Sequence, residues 1–351
     1  MGATAVGASR NTLDGRFVRY VDLRPCTTAF IDARTPGSDR KENFTIIGPG
    51  VAENPDQHVH VTIAHGFNIG GARQPPRCVN SQHSHESAEV FVILSGLWRM
   101  RTGHDGTDGY VDMGPGDVIS FPTQMFRGFE NIGSETGFLF SVLGGDDPGR
   151  VTWAPYVFEA ARAHGLVLLE SGRLIDTARE TVPPDAKRMP ATTPEDVRRF
   201  IRVDSAAAEK IVARAAQFEP AGGGLNRCAG IEECPIVGVA SPAENIPAGP
   251  LAWAHGFQVR ALRTRPEATT GRHVRTEEEV LLGHTSTLTV RTDEGELTVG
   301  PGDTLSIPAG ITREFVNASR EQSMTYVVRA GDYPAAPRWL TPHVFESGAA
   351  P

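Results

Sequence analysis

The chain is poor in cysteine. Its four, Cys26, Cys78, Cys228 and Cys234, are scattered over 351 residues, and Cys228 and Cys234 have no matching pair with which to hold zinc. That spacing excludes a disulfide framework and a zinc ribbon, and reads as reduced thiols of a cytosolic protein. Long hydrophobic runs are also missing: no stretch approaches the roughly 20 apolar residues that span a bilayer. Residues 1–16 lack the apolar centre of a secretory leader, so a cytoplasmic location is expected. Positive charge is in deficit, with 34 Lys and Arg against 42 Asp and Glu and a net charge of −8. No basic stripe marks a nucleic-acid face. In quantity the chain has 38 glycines and 26 prolines, the punctuation of many short strands and turns. Its length suggests two domains.

Chemistry is concentrated between Gln82 and Gly96. His83 and His85 are two residues apart, so on an extended strand both point to one side. Glu86, Ser87 and Ala88 make a short turn. Glu89 then opens the apolar run Val90 to Leu94, which reads as a buried strand. Two imidazoles and a carboxylate can thus meet inside a small all-β barrel. Such a donor set suits one divalent transition metal: Fe(II), Mn, Ni, Cu or Zn.

Further strands are expected at Phe17–Asp22, Phe44–Gly48, His58–Phe67 and Phe138–Leu143, with a hairpin from Trp98–Arg101 and Tyr110–Met113. Pro155 to His164 has helical spacing. A proline-rich stretch from Thr181 reads as a linker. Helix starts follow at Thr193 and at Ser205, the latter ahead of the alanine-rich residues 206–217.

After the linker the chain repeats itself. Phe17-Val18-Arg19 returns as Phe200-Ile201-Arg202. Ala64-His65-Gly66-Phe67 returns as Ala254-His255-Gly256-Phe257, and Gly114-Pro115-Gly116-Asp117 as Gly300-Pro301-Gly302-Asp303. Trp153–Glu159 returns as Trp339–Glu346. Eighteen residues separate His65 from His83, and His255 from His273.

The stretch from His83 to Gly96 resembles the first motif of the cupin superfamily: H-x-H, three residues, E, six residues, G. The second cupin motif, G, five residues, P-x-G, two residues, H, three residues, N, is kept at Gly116, Pro122 and Asn131. It is broken at Gln124, which takes the Gly position, and at Arg127, which takes the place of the last metal-binding His. With the duplication, the resemblance implies a bicupin: an all-β chain of two tandem jelly-roll barrels with a few short helices. The expected division is a flexible start (1–16), a first barrel (17–180), a linker (181–198), a degenerate second barrel (199–347) and a tail (348–351).

The resemblance implies that His83, His85 and Glu89 are the metal ligands. Iron(II) is the leading ion, since two His and one carboxylate is the set used by non-haem Fe(II) oxygenases. Arg127 and Gln124 are the expected catalytic residues. Arg127 either anchors an anionic substrate through its fork or pairs with Glu89; Gln124 or His104 could add a ligand. In the second copy His273 and Glu279 persist, but Arg275 replaces the second His and Arg313 matches Arg127. Guanidinium groups cannot bind a cation, so this barrel is expected to be metal-free, with an Arg275–Glu279 ion pair. His58 and His60 are expected to be peripheral, and His65 and His255 to serve packing in both barrels.

Similar bicupins include gentisate and quercetin dioxygenases and oxalate decarboxylase. The expected function is a metal-dependent dioxygenase acting on a small phenolic, dicarbonyl or carboxylate-bearing substrate, with dioxygen as co-substrate. A metal-dependent isomerase or lyase, or a non-catalytic binding bicupin, are the alternatives. Self-association is expected through sheet edges and the Val157-Phe158 and Val344-Phe345 segments.

Overall fold

The computed structural model describes residues 13–340. Most of the expected flexible start, the tail and Val344-Phe345 lie outside that range. Each half is a barrel of two facing sheets, and the fold is all-β with a few short helices. In the first half a seven-stranded sheet runs Val212–Ala213, Val118–Phe121, Glu89–Ser95, Gly137–Gly144, Phe67–Gln74, Glu42–Ile47, Val59–Val61. Facing it is a five-stranded sheet in the order Val151–Trp153, Val79–His85, Arg127–Asn131, Trp98–Thr102, Gly109–Met113. The second half repeats the plan with six and five strands. No helix among the described residues is long and apolar enough to cross a membrane.

The run Val90–Ile93 is apolar throughout because both of its faces are buried. Phe91 and Ile93 point into the first barrel with Trp98, Met100 and Phe129. Val90 and Val92 point the other way, into a core shared with Phe257, Val259, Val280, Leu282 and Val328 of the second half. The two large sheets therefore pack back to back, and that shared core joins the barrels.

The halves also exchange strands. Phe17–Val18 pairs with Thr304–Leu305 of the second barrel. Val212–Ala213 pairs with Val118–Ile119 of the first. The expected boundaries at 17 and 199 thus cut through an exchange. The true repeat of Phe17-Val18-Arg19 is Val212-Ala213-Arg214, not Phe200-Ile201-Arg202, and a 3-10 turn follows each copy, at Tyr20–Asp22 and Ala215–Gln217. The alanine-rich helix expected over 206–217 stops at Glu209, because the chain must extend to complete the first barrel's edge. Asp204, not Ser205, caps it. The His58–Phe67 strand is broken into Val59–Val61 and Phe67–Gln74.

His65 and His255 tie the exchange together. Each donates Nδ1–H to a nearby carbonyl, Ile63 O at 2.7 Å and Trp253 O at 2.6 Å. Each Nε2 then accepts from a serine of the other barrel, Ser306 for His65 and Ser120 for His255, both at 2.6 Å. They are fasteners between barrels rather than packing within each. Val157 and Phe158 are buried in the chain's own helix Pro155–Ala163, against Trp153, Leu166 and Leu174. They are therefore not an exposed surface for self-association.

Candidate metal centre and cavity

His83 and His85 are the inward-facing residues at the end of the strand Val79–His85, fixed by pairing with Arg127 and Trp153 on one level and Val151 on the next. Glu89 reaches the same place from the opposite sheet, where it stands across from Phe121 and Leu143. The turn at 86–88 carries the chain from one sheet to the other. All three side chains are buried, and their ligand atoms lie within 4.8 Å of one another. It is the one such cluster among the described residues.

His83 donates Nδ1–H to Ser81 O at 2.7 Å, which leaves its Nε2 as the lone-pair nitrogen. His85 makes no hydrogen bond: Nδ1 is buried without a partner, and Nε2 stands 3.6 Å from Glu89 Oε1. Burial, with help from the Arg127 charge, holds both imidazoles well below their usual range, so they are neutral. Burial pushes the Glu89 carboxyl up and Arg127 opposes this. Arg127 donates Nη2–H to Glu89 Oε2 at 2.6 Å, leaving Oε1 turned towards His85. A buried imidazole with no partner is rare in a folded core. Two neutral imidazoles and one free carboxylate oxygen are the donors a divalent transition metal takes. The three side chains are close enough together to serve one such ion.

Arg127 therefore supports Glu89, and it is not among the residues lining the adjoining cavity. Gln124 is exposed in a turn with φ of +57°, the conformation for which the cupin motif has glycine, and its carbonyl accepts from Ile201 N. Its side chain is not among the residues lining the cavity beside His83, His85 and Glu89. His104 is half-buried in a surface turn, and His58 and His60 meet edge to face, neither of them on the cavity wall.

A cavity of about 70 Å³ opens beside the side chains of His83, His85 and Glu89. Its apolar wall includes Phe30, Phe44, Phe91, Phe129, Leu143 and Trp153. Trp153 packs on His83 with ring centroids 5.3 Å apart, and its Nε1–H donates to Glu53 Oε1 at 2.6 Å. Burial pushes the Glu53 carboxyl up to about 8. Lys41, fully buried, joins Asp32 to Asn80 beneath the histidine strand.

The second barrel shows why the first has room. Leu143 stands opposite Glu89; Arg329 stands opposite Glu279. Gly70 pairs with Ser141, and Arg260 with Val327, at the equivalent level. Asn43 matches Glu233 in the same register. In the second barrel these positions, with Arg275 and Arg313, fill the interior with a buried ion network. Glu279 accepts from Arg313 at 3.0 Å and from Arg329 at 2.8 Å, with Arg275 at 3.5 Å. Glu233 meets Arg260 and Arg329, and Glu244 meets Arg260 and Arg275. Asn43, Gly70 and Leu143, which leave the space, were not singled out from the sequence. The repeats at His65 and Gly114 carry Gly70 onto Arg260 and Leu143 onto Arg329, so the signal was there.

Residues 72–143 match the family described as Cupin domain. Two solved structures share the fold. A deletion variant of Bacillus subtilis oxalate decarboxylase is 14% identical, with 95% of this chain and 80% of that one covered and a TM-score of 0.55. The Lactobacillus farciminis oxalate decarboxylase in its formate complex is 11% identical, with 95% and 90% covered and a TM-score of 0.55. No curated protein matches the sequence. With a cupin domain in its first half and the same barrel built again in its second, the chain has the two-barrel fold of a bicupin.

Proposed function

We propose that the first barrel is the reaction chamber of a metal-dependent dioxygenase acting on a small phenolic or dicarbonyl substrate. The observation that carries this is His85, buried without a hydrogen bond beside a free Glu89 oxygen and the free Nε2 of His83. His83, His85 and Glu89 would hold one divalent ion, iron(II) first, with manganese, nickel, copper or zinc as the other candidates. When bound, the metal supplies a Lewis acid and, as iron, a partner for dioxygen, with about three coordination positions left open by three protein ligands.

The chain's own residues do the rest. Ser81 fixes the tautomer of His83. Arg127 holds one oxygen of Glu89 and so aims the other, as an outer partner does for a ligating carboxylate. In this reading Arg127 is a positioning residue and not a substrate anchor, because its one side-chain hydrogen bond goes to Glu89. Trp153, Phe91 and Phe129 keep water off the reacting face.

Anaerobic loading with Fe(II), followed by oxygen-electrode assays against catechols and 1,3-dicarbonyls, tests the reading. Oxygen uptake is expected only with both metal and substrate present, and is expected to vanish in His85→Ala. Turnover without oxygen uptake would make the protein a lyase or isomerase, and binding without turnover would make it a binding module.

A further inference from the structure

Four amide side chains line the first-barrel cavity. Two of them are tied into the fold through their oxygens. Asn68 Oδ1 accepts from Gly50 N, and its Nδ2 donates to Gly145 O. Asn80 Oδ1 accepts from Lys41 Nζ, while its Nδ2 lies against His83 Nδ1. The other two are not. Asn43, 8% exposed, has its Nδ2 buried with no partner, and Gln57 has its Oε1 buried with no partner. Thr45 links them. It is two residues from Asn43 on the strand Glu42–Ile47, so both side chains share the inward face. Its Oγ1 accepts from Gln57 Nε2 at 2.7 Å. Asn43, Thr45 and Gln57 thus form one polar stripe holding an unused donor and an unused acceptor.

The stripe is remote from the ligand cluster. Glu89 and the stripe lie on strands three apart in the sheet order, about 14 Å around the wall at normal strand spacing. Between them the floor is made of small or apolar residues, Leu139, Leu143, Gly70 and Ala72, with the hydroxyl of Ser141 among them. Charge is absent from that path: among the described residues lining the cavity there is no lysine or arginine. Where this chain buries carboxylates, in the second barrel, it supplies guanidinium groups to meet them. Among the described residues the first barrel has one buried guanidinium, Arg127, whose Nη2 is taken by Glu89 and whose unpartnered Nε and Nη1 are not on the cavity wall.

We propose that Asn43 and Gln57 are specificity-determining residues, and that the cavity takes a neutral substrate carrying a hydroxyl group at the end remote from its metal-binding oxygen. A hydroxyl donates once and accepts twice, so it satisfies Gln57 Oε1 and Asn43 Nδ2 together. The apolar floor receives a ring or short carbon chain. This substrate class rests on the proposed function only for the metal-binding end; the selection for a remote hydroxyl is a property of the cavity itself.

Calorimetric titration with hydroquinone, 1,4-difluorobenzene and 4-hydroxybenzoate tests it, on the protein as purified and again after chelation. A buried polar group left without its partner typically costs enough to shift affinity about tenfold or more. Hydroquinone is therefore expected to bind about tenfold more tightly than 1,4-difluorobenzene, which has the same ring and no hydroxyl, and 4-hydroxybenzoate more weakly than hydroquinone. In Asn43→Leu and in Gln57→Leu the preference for hydroquinone over 1,4-difluorobenzene is expected to shrink towards unity, with metal content unchanged. Equal affinities in the native protein, tighter binding of the anion, no binding of hydroquinone at millimolar concentration, or a preference that survives both substitutions would each overturn the proposal. If the preference is found in a protein that holds no metal and consumes no oxygen, the selectivity stands and the dioxygenase reading falls.

Discussion

Glu279→Gln is expected to destabilise the protein by about 3–5 kcal/mol, the usual cost of leaving a buried charge unpaired. Glu279 is fully buried and meets Arg275, Arg313 and Arg329. With Glu233, Glu244 and Glu277 it balances Arg260, Arg275, Arg313 and Arg329 charge for charge. The amide keeps the shape and removes the balance. Three guanidinium groups hold the Glu279 carboxyl below its ordinary value of 4.5, against the opposing effect of burial. A carboxyl lowered in this way contributes stability that is complete above its unfolded value, and lost as pH falls through its lower folded value. The native protein should therefore hold this contribution down to about pH 4.5, and Glu279→Gln should lack it at every pH above that. Urea unfolding at pH 7 and pH 5 measures both. Glu279→Gln combined with Arg329→Met restores the balance of charge and should recover part of the loss. A single substitution that costs under 1 kcal/mol would show that the network is hydrated and only weakly coupled.

Leu143→Arg carries the reverse exchange into the first barrel. Leu143 faces Glu89 in the register in which Arg329 faces Glu279. The new guanidinium would take the free oxygen of Glu89, lie across the cavity floor, and place a cation beside the metal ligands. Metal affinity is expected to fall by more than about 100-fold, beyond what the loss of an outer partner does. Binding of hydroquinone should disappear with it. The added charge has a partner, so the fold should persist at the typical overpacking cost of about 1–3 kcal/mol. Near-native metal content and hydroquinone affinity in a folded Leu143→Arg protein would show that Leu143 does not border the working site.

The clustering of His83, His85 and Glu89 was legible because its signals are local. His83 and His85 share a face by strand periodicity, and Glu89 follows one short turn later. The duplication made the barrels legible in the same way. What lay hidden depends on pairing between distant segments. Phe17–Val18 completes the far barrel and Val212–Ala213 the near one, an exchange that hydrophobic patterning cannot distinguish from a strand staying at home. The role of Arg127 was left between two partners in the sequence, and the choice of Glu89 follows from cross-barrel distance. Gln124 misled because its position belongs to a motif, while its backbone conformation, which turns the side chain out to solvent, belongs to the turn.

The two barrels have diverged, one keeping a trio of metal-type donors beside an open cavity and the other plugged by its own ions. Elemental analysis of untagged protein, alongside His85→Ala and His273→Gln, shows whether the trio is a metal site. About one divalent transition metal per chain is expected, lost from His85→Ala and retained by His273→Gln. No metal in the native protein, or a metal that leaves with His273 and stays without His85, would show that it is not.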